Sequence, residues 1–346
     1  MQKRTDSSNF FKFLNELPEQ IKNTPALFKE ISFPTLPENL QNIMVLGMGG
    51  SAIAGDIMQK FLEKDLKFPF LVNRNYHLPA FIGKNSLIIS CSYSGNTEET
   101  LSATQEAIQR GATVIGITTG GKLEEMAVSN HFPIIKIPSG YPPRQAIGYM
   151  FFPLLTLLEK LGLVKVADAD IRETIIILES IRERNDPVSQ MDKSFCNHIA
   201  KSLYMRIPVI YTASSLLEPV TVRWRNQFNE NSKVLAFSNQ FPELNHNEIM
   251  GWEMGSELQN CFSIILLRDE SEYERNRLRL EITRDIWRKQ KTPIFEIFSE
   301  GKSSLARVFS QIYLGDWVSY YLALLYDKDP IKIGSIDLLK KKLSEK

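Results

Sequence analysis

An α/β fold made of two parallel sheets, each flanked by helices, is what this 346-residue sequence predicts. Three observations predict it. Short, near-continuous Val/Ile/Leu runs alternate with stretches of helical length, as expected of parallel strands covered on both faces. Several of these runs end in turns rich in glycine or hydroxyl side chains. The same order, strand–helix–strand–helix–strand, also appears twice, on either side of a charged segment at Ala167–Gln190, so an internal duplication is expected even though the residues barely repeat.

The elements follow in order. Phe10 to Ile31 carries Phe11, Leu14, Leu17 and Ile21 at helical spacing and reads as a leading helical segment that packs on something else. The Pro34–Pro37 stretch ends it. IMVLG is then a buried strand, GGSAIAGDIMQKFLE a turn and helix, and FPFLVNR and SLIISCSYS are strands. SGNTEETLSATQEAIQRG is a second turn and helix, TVIGITTGG a strand, LEEMAVSN a short helix and FPIIKIP a strand. In the second half IPVIYTA, KVLAFSN, FSIILLRD and TPIFEIFS are strands. EPVTVRWRNQFNENS, SEYERNRLRLEITRDIWRKQ and SLARVFSQIYLGDWVSYYLALLYD are helices, and FPELNHNEIMGWE is a loop running into a turn of helix. Domains are expected at residues 1–163, with the leading helix, and 196–346, with a helical tail, joined by a helical linker at 164–195.

Composition narrows the classes of function. With 43% hydrophobic and 23% charged residues the chain is ordinary globular protein, and a net charge of +1 argues against nucleic acid or an acidic membrane as a bulk partner. The apolar runs near Met150–Leu158 and Phe262–Leu267 are too short to span a bilayer, and MQKRTDSSNFFKFL has no long apolar core, so a cytoplasmic location is expected. Cys91, Cys196 and Cys261 have the spacing of neither a disulfide framework nor a zinc site, and buried, reduced thiols are expected.

Two strand-to-helix turns carry the first chemistry. In GMGGSAIAGD, Gly47 to Asp56, glycines let backbone approach a ligand and the helix start offers unspent N–H groups at the positive end of its dipole. The segment alone also suits a tight turn, or a loose dinucleotide fingerprint through Gly47, Gly49 and Ala52. Against the latter, Asn73 and Arg74 stand where that fingerprint expects an acidic residue. In SCSYSGNTEET, Ser90 to Thr100, the hydroxyls of Ser92, Ser94 and Thr97 surround Gly95 and Asn96. Three hydroxyls around one glycine turn exceed what capping requires. They suit a phosphate dianion, and no P-loop lysine follows them.

The GGS turn together with SYSGNTEET resembles the sugar-phosphate site of the SIS (sugar isomerase) domain family. The wider pattern, from Asn42 to Leu343, resembles the bifunctional phosphoglucose/phosphomannose isomerases, which carry two SIS-type, flavodoxin-like domains in tandem. This resemblance implies a phosphate site at Gly50, Ser51, Ser92, Ser94 and Thr97. In YPPRQAIGY it implies that Arg144 stabilises an enediolate. In RWRNQFNENSK it implies that Glu230 moves the proton between C1 and C2, although a lone glutamate at a helix end is ordinarily just solvated. In FPELNHNEIMGWE it implies that His246 opens the sugar ring and reaches a neighbouring subunit's site. In IDLLKKKL it points to Lys340, with Lys341 and Lys342 as competing registers. Ile331 stands where relatives often carry threonine, which leaves selectivity arguments built on that threonine without a footing here.

The implied reaction is aldose–ketose isomerisation of glucose 6-phosphate and mannose 6-phosphate with fructose 6-phosphate through a cis-enediol. It needs no cofactor and no metal, and it implies a homodimer with shared active sites. Other readings are a non-catalytic sugar-phosphate sensor, an amino-sugar phosphate isomerase and a dinucleotide-dependent oxidoreductase.

Overall fold

The structure, a computed structural model, describes residues 6–29, 31–289 and 292–345. The chain divides into two compact units. One runs Glu16–Ile175, and the other joins the chain up to Asn15 to the chain from Ile176 onward. The division falls at 175/176, inside the helix Asp168–Arg184, which lies within the segment 164–195 read as a linker. The leading helical segment is likewise split. Phe10–Asn15 belongs with the later unit, while the helix Leu17–Asn23 and the 3-10 turn Thr24–Phe28 belong with the earlier one.

The unit Glu16–Ile175 is built on five parallel strands: β1 (Asn42–Leu46), β2 (Phe70–Asn73), β3 (Ser86–Ser92), β4 (Thr113–Thr118) and β5 (Ile134–Lys136). Their order in the sheet is β2-β1-β3-β4-β5. Every residue of β1 and β3 is buried, which is why these strands read as continuous apolar runs without alternation. The register pairs Val45 with Ile89 and Leu46 with Ser90, so the two strands run side by side to the end of β1 and β3 continues beyond it to Ser92. One face is closed by Met44, Leu46 and Ile88 against Ala103 and Ala107 of the helix Glu98–Gln109. The apolar run at Met150–Leu158 proves to be part of a buried helix, Ile147–Lys160, packed on the helices Gly49–Phe61 and Leu17–Asn23.

The second unit repeats the topology with one strand fewer. Its strands are β6 (Ile207–Thr212), β7 (Phe237–Gln240), β8 (Phe262–Arg268) and β9 (Ile294–Phe298), all parallel, in the order β7-β6-β8-β9. That order matches β2-β1-β3-β4, so the duplication is present in the connectivity. β7 begins at Phe237, later than its sequence suggests. The helix Glu218–Gln227 continues as a π-helical turn over Phe228–Ser232, and Lys233 then takes φ 59°, which breaks the strand pattern.

A helix apolar around its whole circumference must be buried. Ser304–Leu325 comes close to this, with every residue from Leu305 to Leu324 buried and Arg307, Ser310, Gln311, Asp316 and Ser319 as its buried polar residues. The helices Phe195–Leu203 and Glu218–Gln227 pack against it. Gly315 is what allows the second of these to approach, because a Cβ there would lie 2.5 Å from the Trp224 indole. Arg223 Nη2 meets both oxygens of Asp316 at 2.9 and 2.8 Å, and Gln227 Nε2 donates to Asp316 Oδ1 at 2.6 Å. Among the described residues no helix is long and apolar enough to cross a membrane.

Two predictions follow from this packing. Asp316→Ala strands the Arg223 guanidinium in the interior, and it is expected to cost about 3–5 kcal/mol, read from the shift in a urea unfolding midpoint. The thiols give the second. Cys91 and Cys196 are buried, which pushes Cys91 up to about 12 and also raises Cys196. Cys261, expected to be buried, is exposed in the turn just ahead of β8, where no layer covers it. A thiol-exchange reagent is therefore expected to titrate Cys261 alone in the native chain and all three cysteines after denaturation.

Candidate active site

At the carboxyl ends of β1 and β3, where the chain leaves the sheet in opposite directions, an open α/β sheet forms a crevice. Both strands feed helices here, and neither helix start is capped by a side chain. Met48 is the N-cap of Gly49–Phe61 and Thr97 that of Glu98–Gln109. Instead of capping its own helix, Thr97 shares a hydrogen bond with Ser92, Oγ to Oγ1 at 3.0 Å. Helix-start amides and the positive dipole ends are thus left for an anion. Ser51 and Ser92 are buried, Thr97 is half-buried and Ser94 is exposed, its Oγ accepting from the Asn96 N–H at 3.3 Å.

Close backbone approaches hold these turns together. A Cβ on Gly47 would sit 3.0 Å from the Cys91 carbonyl oxygen, and one on Gly50 would sit 2.8 Å from that of Pro143. Gly50 therefore lies directly on the PPR turn, and the structure brings the GGS and PPR segments together. Gly95, at φ 71°, is still more constrained, since a Cβ there would fall 1.7 Å from the Gly120 carbonyl oxygen. The turn at Gly120–Gly121, after β4, is the third wall of the cradle. Sequence reasoning passed over it, although its paired glycines at a strand end were the signal. Asn96 ties it in place, its Oδ1 accepting from the Lys122 N–H at 3.1 Å.

Arg144 lies in the 3-10 turn Pro143–Gln145 and is only 4% exposed. Two buried side chains hold that turn. Gln20 Nε2 donates to the Gln145 carbonyl at 2.8 Å, while its Oε1 accepts from the Tyr149 N–H at 3.3 Å. Tyr93, from the SYSGNT segment, donates its hydroxyl to the Pro138 carbonyl at 3.0 Å and accepts from the Tyr141 N–H at 2.9 Å. Burial raises the Tyr93 hydroxyl above its ordinary range, so it remains a neutral donor. The anion cradle and the arginine are thereby cross-braced within one unit.

The remaining candidates lie in the second unit. Glu230 is half-buried on the π-helical turn Phe228–Ser232. Such turns are rare and are frequent at functional sites. His246 ends the 3-10 turn Glu243–His246 and is exposed. Its segment is anchored nearby, because the carboxylate of Glu248 accepts from the Tyr211 hydroxyl and from Asn239 Nδ2. Asn245 Nδ2 also donates to Thr283 Oγ1 at 2.9 Å. Lys340 is exposed on the helix Gly334–Ser344, as are Lys341 and Lys342.

Comparison with known proteins gives the family. Residues 38–139 match the SIS domain, and residues 193–343 match the bacterial phospho-glucose isomerase C-terminal SIS domain. The chain is 45% identical over 335 residues to the bifunctional phosphoglucose/phosphomannose isomerase of Caldicellulosiruptor bescii, covering 97% of this chain and 99% of that one. It belongs to the bifunctional phosphoglucose/phosphomannose isomerase family. A second member, from Aquifex aeolicus, is 36% identical, with 95% of this chain and 99% of that one covered. The fold is also that of the tagatose-6-phosphate ketose/aldose isomerase from Escherichia coli, with a TM-score of 0.70 at 15% identity over 95% of this chain and 97% of the other.

For a phosphoglucose/phosphomannose isomerase family member, the cradle makes a direct prediction. A hydrogen bond to a charged group contributes about 1.5–3 kcal/mol. Ser92→Ala is therefore expected to weaken inhibition by inorganic phosphate roughly ten- to hundredfold while leaving the far-ultraviolet circular dichroism unchanged.

Proposed function

We propose that this chain interconverts glucose 6-phosphate and mannose 6-phosphate with fructose 6-phosphate through a cis-enediol. The observation that carries the reading is the cradle after β1 and β3, with two helix starts left uncapped and serine and threonine hydroxyls gathered around them. It suits a phosphate dianion carried on a neutral sugar, and the names of the two relatives point the same way.

In this reading Gly50, Ser51, Ser92, Ser94 and Thr97 hold the phosphate. His246, with Lys340, opens the ring by general acid–base transfer. Glu230 takes the proton from C2 and returns it to C1, while Arg144 stabilises charge on the enediolate oxygens. Glucose 6-phosphate and mannose 6-phosphate differ only in configuration at C2. The enediol has no stereocentre there, so one base serves both. The reading extends to a cytoplasmic homodimer in which the segment bearing His246 reaches the partner subunit's substrate. The exposed position of His246 supports that extension.

The test is a coupled assay of the purified protein supplied with fructose 6-phosphate, with the two aldose phosphates quantified separately. Both products are expected, and Glu230→Gln is expected to lower kcat by about 10²–10⁴-fold. Glucose 6-phosphate alone would remove the dual specificity. A folded chain that binds the sugar phosphate and forms neither product would replace the isomerase with a sensor.

A further inference from the structure

The turn that carries Glu230 is held from two sides. On one side it is fixed to the buried helix Ser304–Leu325, where Asn231 Nδ2 donates to Ser319 Oγ at 3.0 Å and Ser232 Oγ donates to the Ser319 carbonyl at 2.7 Å. Asn229 Oδ1 accepts from the Ala236 N–H at 3.2 Å, which closes the loop that follows. On the other side stands Lys233. Its backbone is left-handed, at φ 59° and ψ 34°. Glycine or asparagine is the ordinary occupant of that conformation, because a Cβ is disfavoured there.

The side chain explains why lysine is there. It folds back so that Nζ donates to the carbonyl oxygens of Glu230 and Asn231, the latter at 3.3 Å. It also donates to those of Asp329 and Pro330, at 3.2 and 3.3 Å. The last carbonyls of any helix lack partners within the helix, and a cation there also meets the negative end of the dipole. An ammonium supplies three donors and charge-assisted bonds, which suits a cage of four carbonyl oxygens. The second pair of carbonyls is itself secured. Asp329 accepts from the hydroxyls of Ser7 and Ser8, and its Oδ1 accepts from the Ile331 N–H at 3.0 Å. The helix Gly334–Ser344, which bears Lys340, follows directly.

We propose that Lys233 is a positioning residue for isomerisation. It clamps the π turn bearing Glu230 to the Asp329–Pro330 turn and so fixes where the Glu230 carboxylate points. The inference rests on Glu230 being the base. It goes beyond that assignment in giving Lys233 a role in catalysis without contact with the reacting atoms. The substrate phosphate is held by other residues, so losing the clamp affects the proton-transfer step and leaves binding largely intact.

The test uses Lys233→Gly and Lys233→Asn in the full-length protein, two residues that accept the left-handed backbone while removing the ammonium. A base displaced by about 1 Å can cost a hundredfold in rate, so kcat for fructose 6-phosphate is expected to fall roughly ten- to hundredfold. KM is expected to stay within about threefold of the parent, the pattern of an interaction felt only in the transition state. Added ethylammonium is expected to restore part of kcat in Lys233→Gly and to leave Glu230→Gln inactive. A folded Lys233→Asn with kcat within about twofold of the parent overturns the proposal. A loss of activity matched by an equal loss of folded protein, read by circular dichroism on the same samples, overturns it too. Retained activity in Glu230→Gln is a separate result, which would remove the base assignment itself.

Discussion

Arg223 and Asp316 meet out of water, their side chains 3% and 2% exposed, and much of the second unit is arranged around that meeting. Removing two charges from solvent costs several kcal/mol for each ion, and only good geometry with further hydrogen bonds offsets it. Here Arg223 Nη2 engages both carboxylate oxygens and Gln227 adds a third hydrogen bond. Along the same contact Trp224 Nε1 donates to the Gln311 carbonyl at 2.8 Å, and Asn231 and Ser232 reach Ser319. On the first partner Arg223, Gln227 and Asn231 recur at four-residue spacing. Apolar packing alone would tolerate some sliding between the helices, whereas this directional ladder fixes both rotation and translation. The last rung is the turn that bears Glu230.

The earlier unit solves the opposite problem. In the proposed reading the base is held at one point, whereas the phosphate site keeps its donors unspent. Neither helix start after β1 or β3 is capped by a side chain, and the Ser92 and Thr97 hydroxyls engage each other. Rigidity comes instead from backbone contacts that only glycine permits, at Gly50 against Pro143 and Gly95 against Gly120, and from Tyr93 bridging to the PPR approach.

The duplicated topology makes the contrast sharper. β8 occupies the place in its sheet that β3 occupies in the other. After β8, however, the turn is filled by the chain's own anions. Asp269 Oδ1 accepts from the Ser271 N–H at 2.9 Å, and Glu272 Oε1 accepts from the Asp269 N–H at 3.1 Å. Arg307 Nε donates to Asp269 Oδ2 at 3.0 Å, and Arg268 Nε donates to Glu272 Oε1 at 2.8 Å. Equivalent strand ends thus leave an uncapped helix start in one unit and carry an internal ion-pair network in the other.

By itself the sequence determined the two parallel sheets, because fully buried strands must be written as continuous apolar runs and their turns in glycine and hydroxyls. It also singled out Ser92, Ser94 and Thr97 as a candidate cradle, since they exceed any capping need. For Glu230 and His246 the residues alone were silent, and a solvated glutamate or a surface histidine reads the same, so only resemblance singled them out. Tertiary structure decided what depends on contacts distant in sequence. It split the leading helical segment between units, because Leu14 and Leu17 share one periodicity but bury against different cores. It set Gly120–Gly121 against Gly95 and laid Gly50 on Pro143. It also closed the π turn with Lys233, whose partners at Asp329 and Pro330 lie nearly a hundred residues away. Local periodicity records which face of an element is buried, but it cannot record which distant carbonyl a side chain will find.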